Sequence, residues 1–293
     1  MKPNEELTAT EAVRRALSHE FSEVTALEDA VRTDEVDAVH GVRVALRKMR
    51  SFLMIFRPVL DGMAARRLGA ELRWAGQQLA AARDLEVLES RFAKEFAGAI
   101  KRGHPVPDDV RRLIDADLAR RHEVALERAT EALDRPRWTA MKGQVAAFLE
   151  PGAQLDGAAK AEPELSKLAR RSERRVARRA AVAETDPGHL DLWHDVRKAV
   201  KSTRYAWEAV AALDGGTEAD EAEATLWKAA SSAFGELQDT SVALETLDDY
   251  ARHAQMAGDP SEAYLSLNKH LTSTGKRQLA KARKMLAAAL SAG

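Results

Sequence analysis

Two segments of this chain match each other: "VHGVRVALRKMRSF" at 39–52 and "WHDVRKAVKSTRYA" at 193–206. His40 aligns with His194, Arg43 with Arg197, Arg47 with Lys201 and Arg50 with Arg204, all 154 residues apart. A second pair follows. "LAAARDLEVL" (79–88) aligns with "FGELQDTSVAL" (234–244), which sets Asp84 against Asp239 at an offset of 155, and Arg73 then falls on Lys228. Two matches in the same order and at near-constant spacing constrain the fold strongly. Each copy occupies about half of the 293 residues, so the chain should fold as two like units. We expect two helical bundles related by internal duplication, packed with pseudo-two-fold symmetry. The first covers 1–150 and the second 151–293. The stretch "EPGAQLDGAAKAEPE" (150–164), with Pro, Gly and little apolar periodicity, reads as the linker between them.

The elements are expected to be helices throughout. Ala, Leu, Arg and Glu dominate, and these lose little side-chain freedom in a helix. Prolines and glycines fall between the periodic stretches rather than inside them. The pattern predicts helices over about 8–31, 35–57, 63–82, 84–99, 107–133 and 137–149, then 163–184, 189–213, 218–236, 239–257 and 261–290. Thr8 and Thr10, the run Asp214-Gly215-Gly216-Thr217 and Asp259-Pro260-Ser261 are start or stop signals. Asp84 and Asp239 are expected to cap helices that begin beside them.

The repeated motif carries charge in an unusual place. From each histidine, cations follow at +3, +7 and +10, or about 0°, 300°, 340° and 280° around a helix. They make one narrow stripe, roughly 15 Å long. The apolar face of the first copy (Val39, Val42, Leu46, Met49, Leu53 and Phe56) lies directly beside it, as do Trp193, Val196, Val200 and Trp207 in the second. Cations beside a buried face should line a groove between helices, with their stems packed and their heads in water. A solvated face would mix signs and gain from pairs at i, i+4. Here the first copy has no acid and the second only Asp195. The remaining structural account is pairing with acids from other helices. Lys48, Lys198, Arg73 and Lys228 extend the expected groove wall. So does the Arg-rich stretch "KLARRSERRVARR" (167–179), through Arg171 and Arg175. The total charge is only -1, because acidic runs such as "GGTEADEAEA" offset the basic faces. Segregation of this kind creates a strong local field for a polyanion, and arginine adds planar, bidentate contacts to phosphate oxygens.

Other chemistries find little support. There is no cysteine, hence no disulfide framework and no thiolate metal site. No stretch has the length of a membrane span, and the N-terminus lacks a secretory signal. The chain reads as a soluble cytoplasmic protein. "STGKR" (273–277) fails as a phosphate-binding loop because its first glycine position is His270 and its last is Arg277. The histidines show no metal-binding spacing, and no cofactor is implied. A histidine nucleophile at His40 or His194 would need an orienting carboxylate, and only Asp195 is local. An enzyme is therefore not expected. Nucleic-acid binding is the stronger alternative, since arginine helices grip any phosphate backbone. Base recognition wants aromatic stacking partners, and Trp74, Trp193 and Trp207 fall on apolar faces.

The motif His-x-x-Arg-x-x-x-Arg/Lys-x-x-Arg, present twice, resembles the histidine-containing α-helical family called CHAD, and "LAAARDLEVL" fits the same family. The likeness covers essentially the whole chain. It implies two helical bundles around a basic cavity, non-catalytic binding of inorganic polyphosphate, and location at polyphosphate granules beside polyphosphate-metabolising enzymes. Such domains often accompany a triphosphate-tunnel phosphohydrolase, for which this chain has no room, so a stand-alone domain is expected. The second copy departs at two places: Ser202 stands for Lys48 and Gln238 for Arg83. Lys198 is placed to compensate for the first. The role of the histidines stays open. A bound polyanion would favour imidazolium and draw in protons, whereas a neutral imidazole would serve structure alone.

Overall fold

The computed structural model describes residues 8–150, 164–212 and 216–292. Residues 151–163 of the expected linker, and Asp214 and Gly215 of the expected stop signal, lie outside them. The described residues form helices without strand: α1 (Ala9–Ala26), α2 (Glu28–Arg32), α3 (Ala38–Ile55), a 3₁₀ turn (Arg57–Val59), α4 (Gly62–Gln78), α5 (Ala80–Lys101), α6 (Asp108–Leu133) and α7 (Pro136–Leu149), then α8 (Leu165–Thr185), α9 (Leu190–Ala211), α10 (Glu218–Ala257) and α11 (Glu262–Ala292).

Several boundaries follow from local chemistry. Thr8 caps α1 and Thr217 caps α10, each through a capping box with the acid three residues on, Glu11 and Asp220. Thr10 lies inside α1 and donates instead to the Val59 carbonyl at 3.0 Å. Gly258, left-handed at φ 77°, closes α10 and turns the chain back into α11.

Two expectations fail here. The segments 218–236 and 239–257 are one continuous helix of 40 residues. Consequently Asp239 caps nothing. Nor does Asp84, because α5 begins at Ala80. In the first half the chain breaks at Leu79; in the second the aligned Phe234 is helical and 1% exposed. Gly235 costs the helix only about 1 kcal/mol, less than the packing on both sides recovers. The true cap in this region is Asp61, whose carboxylate accepts from the Met63 and Ala64 amides at 2.8 and 3.0 Å.

The two halves share one contiguous core. In the first, α3 lies against α1 and α4, and α5 against α6; in the second, α9 lies against α8 and α10, and α10 against α11. The main contacts that join them are α3 on α9, α5 on α10 and α3 on α8. The repeated motif therefore meets itself at the centre of the molecule. The apolar faces behave as read: Val39, Val42, Leu46, Met49 and Leu53, and Trp193, Val196, Val200 and Trp207, are at most 3% exposed. Buried tryptophans tie outlying helices to these faces. The Trp207 indole donates to Glu173 of α8 at 2.8 Å, and Trp138 of α7 donates to Glu28 of α2 at 2.8 Å.

Candidate functional site

Where α3 crosses α9, the cationic stripes converge. Arg47 of α3 stands close enough to Arg197 and Lys201 of α9 to disfavour the charge of both. His40 feels Arg83, Arg47 and Lys201. Arg50 is flanked by Arg47 and by Arg73 of α4. Arg204 adjoins Lys201 and pairs with Glu208 at 2.6 Å. Among the described residues no carboxylate lies within ion-pair distance of Arg47, Arg50, Arg73, Arg197 or Lys201. Buried Nε–H groups of Arg43, Arg47, Arg91 and Arg197 have no hydrogen-bond partner. Each such donor costs roughly 1–3 kcal/mol if left unmet. The cluster thus concentrates both like-charge repulsion and unmet donors.

The charge states follow from these surroundings. Burial first, then Arg47, Arg197 and Arg204, pushes the Lys201 ammonium down to about 6. Burial first, then Arg83, pushes His40 down to about 4, so its imidazole is neutral at pH 7. His194 differs. Its Nδ1 lies 2.6 Å from the Gln238 amide oxygen, which fits an Nδ1–H donor and leaves Nε2 free. The Arg83/Gln238 difference between the halves thus sets a cation beside one histidine and a hydrogen-bond acceptor beside the other.

Asp84 and Asp239 face the cluster. Arg43 lies 3.9 Å from Asp84 and also donates to the Gly76 carbonyl at 2.6 Å, so it is partly structural. Burial raises the Asp239 carboxyl, and Arg197 and Lys201 oppose that shift. Sequence reasoning names Arg83 of α5 only as the counterpart of Gln238, outside the expected groove wall, and misses Arg91 of the same helix. They line a cleft of about 520 Å³ that draws on both halves, together with Lys94 and a larger number of acids, among them Asp37, Glu86, Glu89, Glu236 and Asp239. Their signal is faint: two arginines, about two turns apart, on the helix that carries Asp84.

Other expected groove residues sit elsewhere. Lys48 lies about 80° around α3 from His40 and pairs with the buried Glu20 of α1 at 2.8 Å. Lys198 is exposed and pairs with Asp195 at 2.7 Å. Arg171 lines a separate shallow pocket with Lys167, Arg170 and Arg174. Arg175 reaches the far end of the α3 stripe, touching Met54 at 3.0 Å near Arg57. Lys228 is exposed on α10, on the same face as Asp239 and about three turns away. Replacing Lys48 by Met should leave anion affinity unchanged and cost about 1–3 kcal/mol of stability, because it strands the Glu20 carboxylate. Denaturant unfolding beside a binding titration checks both halves of that statement.

The fold and site define an all-α protein with a cluster of cations where its two helical halves meet. The model of the CHAD domain matches residues 15–248, and the chain belongs to the CHAD family. Two proteins of Mycobacterium tuberculosis, from different strains and named only as uncharacterized, are each 30% identical over 269 residues. The match takes in 89% of this chain but 50% of theirs, so the chain spans about half the length of these curated relatives. Two solved structures share the fold. PptA from Streptomyces chartreusis has TM-score 0.73 at 20% identity, covering 97% of this chain and 99% of its own. The CHAD domain from the plant Ricinus communis has TM-score 0.72 at 23% identity, covering 98% and 94%. No described helix is long and apolar enough to cross a membrane.

Proposed function

We propose that the chain binds inorganic polyphosphate, without catalysis, at the cationic cluster where α3 crosses α9. The observation that carries this reading is the group of buried, unpartnered arginine Nε–H donors beside cations without carboxylate partners. Guanidinium groups meet phosphate through paired N–H bonds, and a polymer of phosphates can engage several cations in succession. Nucleic acid offers the same phosphates but carries bases that need stacking surfaces. The aromatics near the cluster are not available for that. Trp193, Trp207 and Tyr205 are at most 2% exposed, and the Trp74 ring is covered by the Arg137 guanidinium at 4.4 Å. The non-catalytic part of the proposal rests on the histidines. Asp195, the one local carboxylate, is engaged by Lys198, and the His194 Nδ1 is engaged by Gln238, so neither group activates the other. Residence in the cytoplasm at polyphosphate granules, beside polyphosphate-metabolising enzymes, follows from the same proposal.

Affinity should rise at least tenfold from triphosphate to chains of dozens of units, because a longer chain reaches further cations intramolecularly. It should fall with added salt as counterion release loses value. Fluorescence titrations over chain length and ionic strength, with orthophosphate release followed in parallel, test the proposal. Equal affinity at all lengths, or steady release of phosphate, contradicts it.

A further inference from the structure

The cationic stripe of α9 runs from Arg204 back to His194, and no cation precedes His194 on that helix. Beside His194 lies a pocket of about 200 Å³, whose polar lining is Asp191, His194, Arg197, Gln238, Ser241 and Glu245. Their aligned positions in the first half are Asp37, His40, Arg43, Arg83, Glu86 and Ser90. There the polar groups partner one another: Arg83 donates to Glu86 at 2.7 Å and stands 3.7 Å from Asp37. In the second half Gln238 is shorter and uncharged, and Ser241 replaces the glutamate. Asp191 and Glu245 have no hydrogen-bond or ion-pair partner among the described residues. Gln238 accepts from His194 Nδ1 at 2.6 Å, which leaves its own amide N–H₂ and the His194 Nε2 for a ligand. The pocket is smaller than the roughly 300–1,000 Å³ that drug-sized ligands need, so its occupant is a small polar group.

The lining asks for a group that both accepts and donates. The Arg197 guanidinium and the Gln238 amide offer N–H donors, while Asp191, Glu245 and the His194 Nε2 offer acceptors. An internal phosphate of a chain is fully ionised and has no hydrogen to give, so the two carboxylates only repel it. A terminal phosphate is different. It keeps a weakly acidic hydroxyl, with a pKa of about 6 as in a phosphomonoester, and a neighbouring carboxylate holds that proton on. We propose, resting on the phosphate-binding reading above, that the pocket beside His194 takes the protonated terminal phosphate of a linear chain, while the rest of the chain runs along α9 towards Arg204. Arg197 and Gln238 donate to the ionised oxygens of that phosphate, and its hydroxyl donates into the acceptor set of Asp191, Glu245 and the His194 Nε2. The carboxylates thus act as an end stop. They reject the interior of a chain and accept its terminus. The first half offers no such pocket, because Arg83 already answers its acids.

Linear tripolyphosphate and cyclic trimetaphosphate are the probes. Each has three phosphates, but the ring has no terminus. In calorimetric titrations of the full chain at pH 6.5, the linear form should bind at least about tenfold more tightly, the worth of one charge-assisted hydrogen bond. Asp191→Asn removes a repelling charge and keeps the shape. It should tighten the ring and leave the linear form within about twofold, so that the preference shrinks. Gln238→Arg installs the first-half residue, which should pair with Asp191 as Arg83 does with Asp37. It should also remove the preference while long chains still bind. Thermal melts confirm that both variants are folded. Equal binding of the two probes by the unaltered protein would overturn the proposal. So would survival of the full preference in either folded variant, which would trace it to net charge alone. A titration with long-chain polyphosphate on the same preparation separates the two claims. Binding of the long chain without a linear preference sinks the terminal pocket alone, and absence of long-chain binding sinks the phosphate reading with it.

Discussion

Replacing both Arg47 and Arg197 by Glu should abolish polyphosphate binding and leave the protein at least as stable as before. Both arginines stand at the crossing of α3 and α9 with no carboxylate partner among the described residues. Arg47 disfavours the charge of Arg197. Each reversal removes a phosphate contact and adds a repelling charge, at a cost of at least about 2 kcal/mol. Two of them amount to about 4 kcal/mol, or roughly a thousandfold in affinity. The stability outcome runs the other way. New carboxylates beside Lys201, and at position 47 beside Arg43 and Arg50, would relieve the repulsion that the free protein carries. A thermal melt that holds or rises, together with lost binding, is the expected signature. A melt that collapses would make these arginines structural. Arg43→Glu gives the contrast, since Arg43 holds the Gly76 carbonyl, and its loss should lower stability as well as affinity.

The second large effect concerns pH, and it belongs to Lys201. Below pH 6 the lysine is charged both free and bound, so affinity there is insensitive to its titration. Above pH 6 the free protein holds it neutral, while a bound polyanion favours the ammonium and restores its affinity for a proton. Each binding event then takes up close to one proton. Affinity falls by up to tenfold per pH unit, or roughly a hundredfold between pH 6.5 and 8.5. His40 starts further below that window, because burial and Arg83 push it down to about 4 in the free protein. Calorimetry in two buffers of different ionisation enthalpy measures the uptake. Lys201→Arg should flatten the pH profile while binding persists, and a slope surviving in that variant would assign the proton elsewhere.

Much of the site is legible in the amino-acid order. The stripe at 0, +3, +7 and +10 places cations beside an apolar face on each helix, while the crossing of α3 and α9 is read from the structure. Arg47, Arg50, Arg197, Lys201 and Arg204 sit where it puts them. The misreadings have a common physical origin. Lys48 and Lys198 read as part of the groove wall because they neighbour the stripe in sequence, yet one residue along a helix is 100° around it. Their partners, Glu20 and Asp195, face other directions. Asp84 and Asp239 read as caps because aspartate favours helix starts. Packing keeps α10 continuous through Asp239 and moves the first-half break back to Leu79. The charge state of Lys201 is not legible at all. It depends on groups from three helices, and no local spacing reports that convergence. The Arg83/Gln238 difference is visible in the aligned segments, but its consequence for the two histidines needs their distances.

The central claim is that a chain of phosphates without bases is the ligand of this cluster. Its most direct test is competition at physiological salt. Labelled long-chain polyphosphate is bound to the intact protein and displaced with unlabelled polyphosphate, duplex DNA, single-stranded RNA or ATP, at equal phosphate concentration. The account predicts displacement by polyphosphate at least about tenfold more effective than by either nucleic acid, with ATP weakest because it offers few phosphates. Displacement by DNA or RNA as effective as by polyphosphate would contradict it.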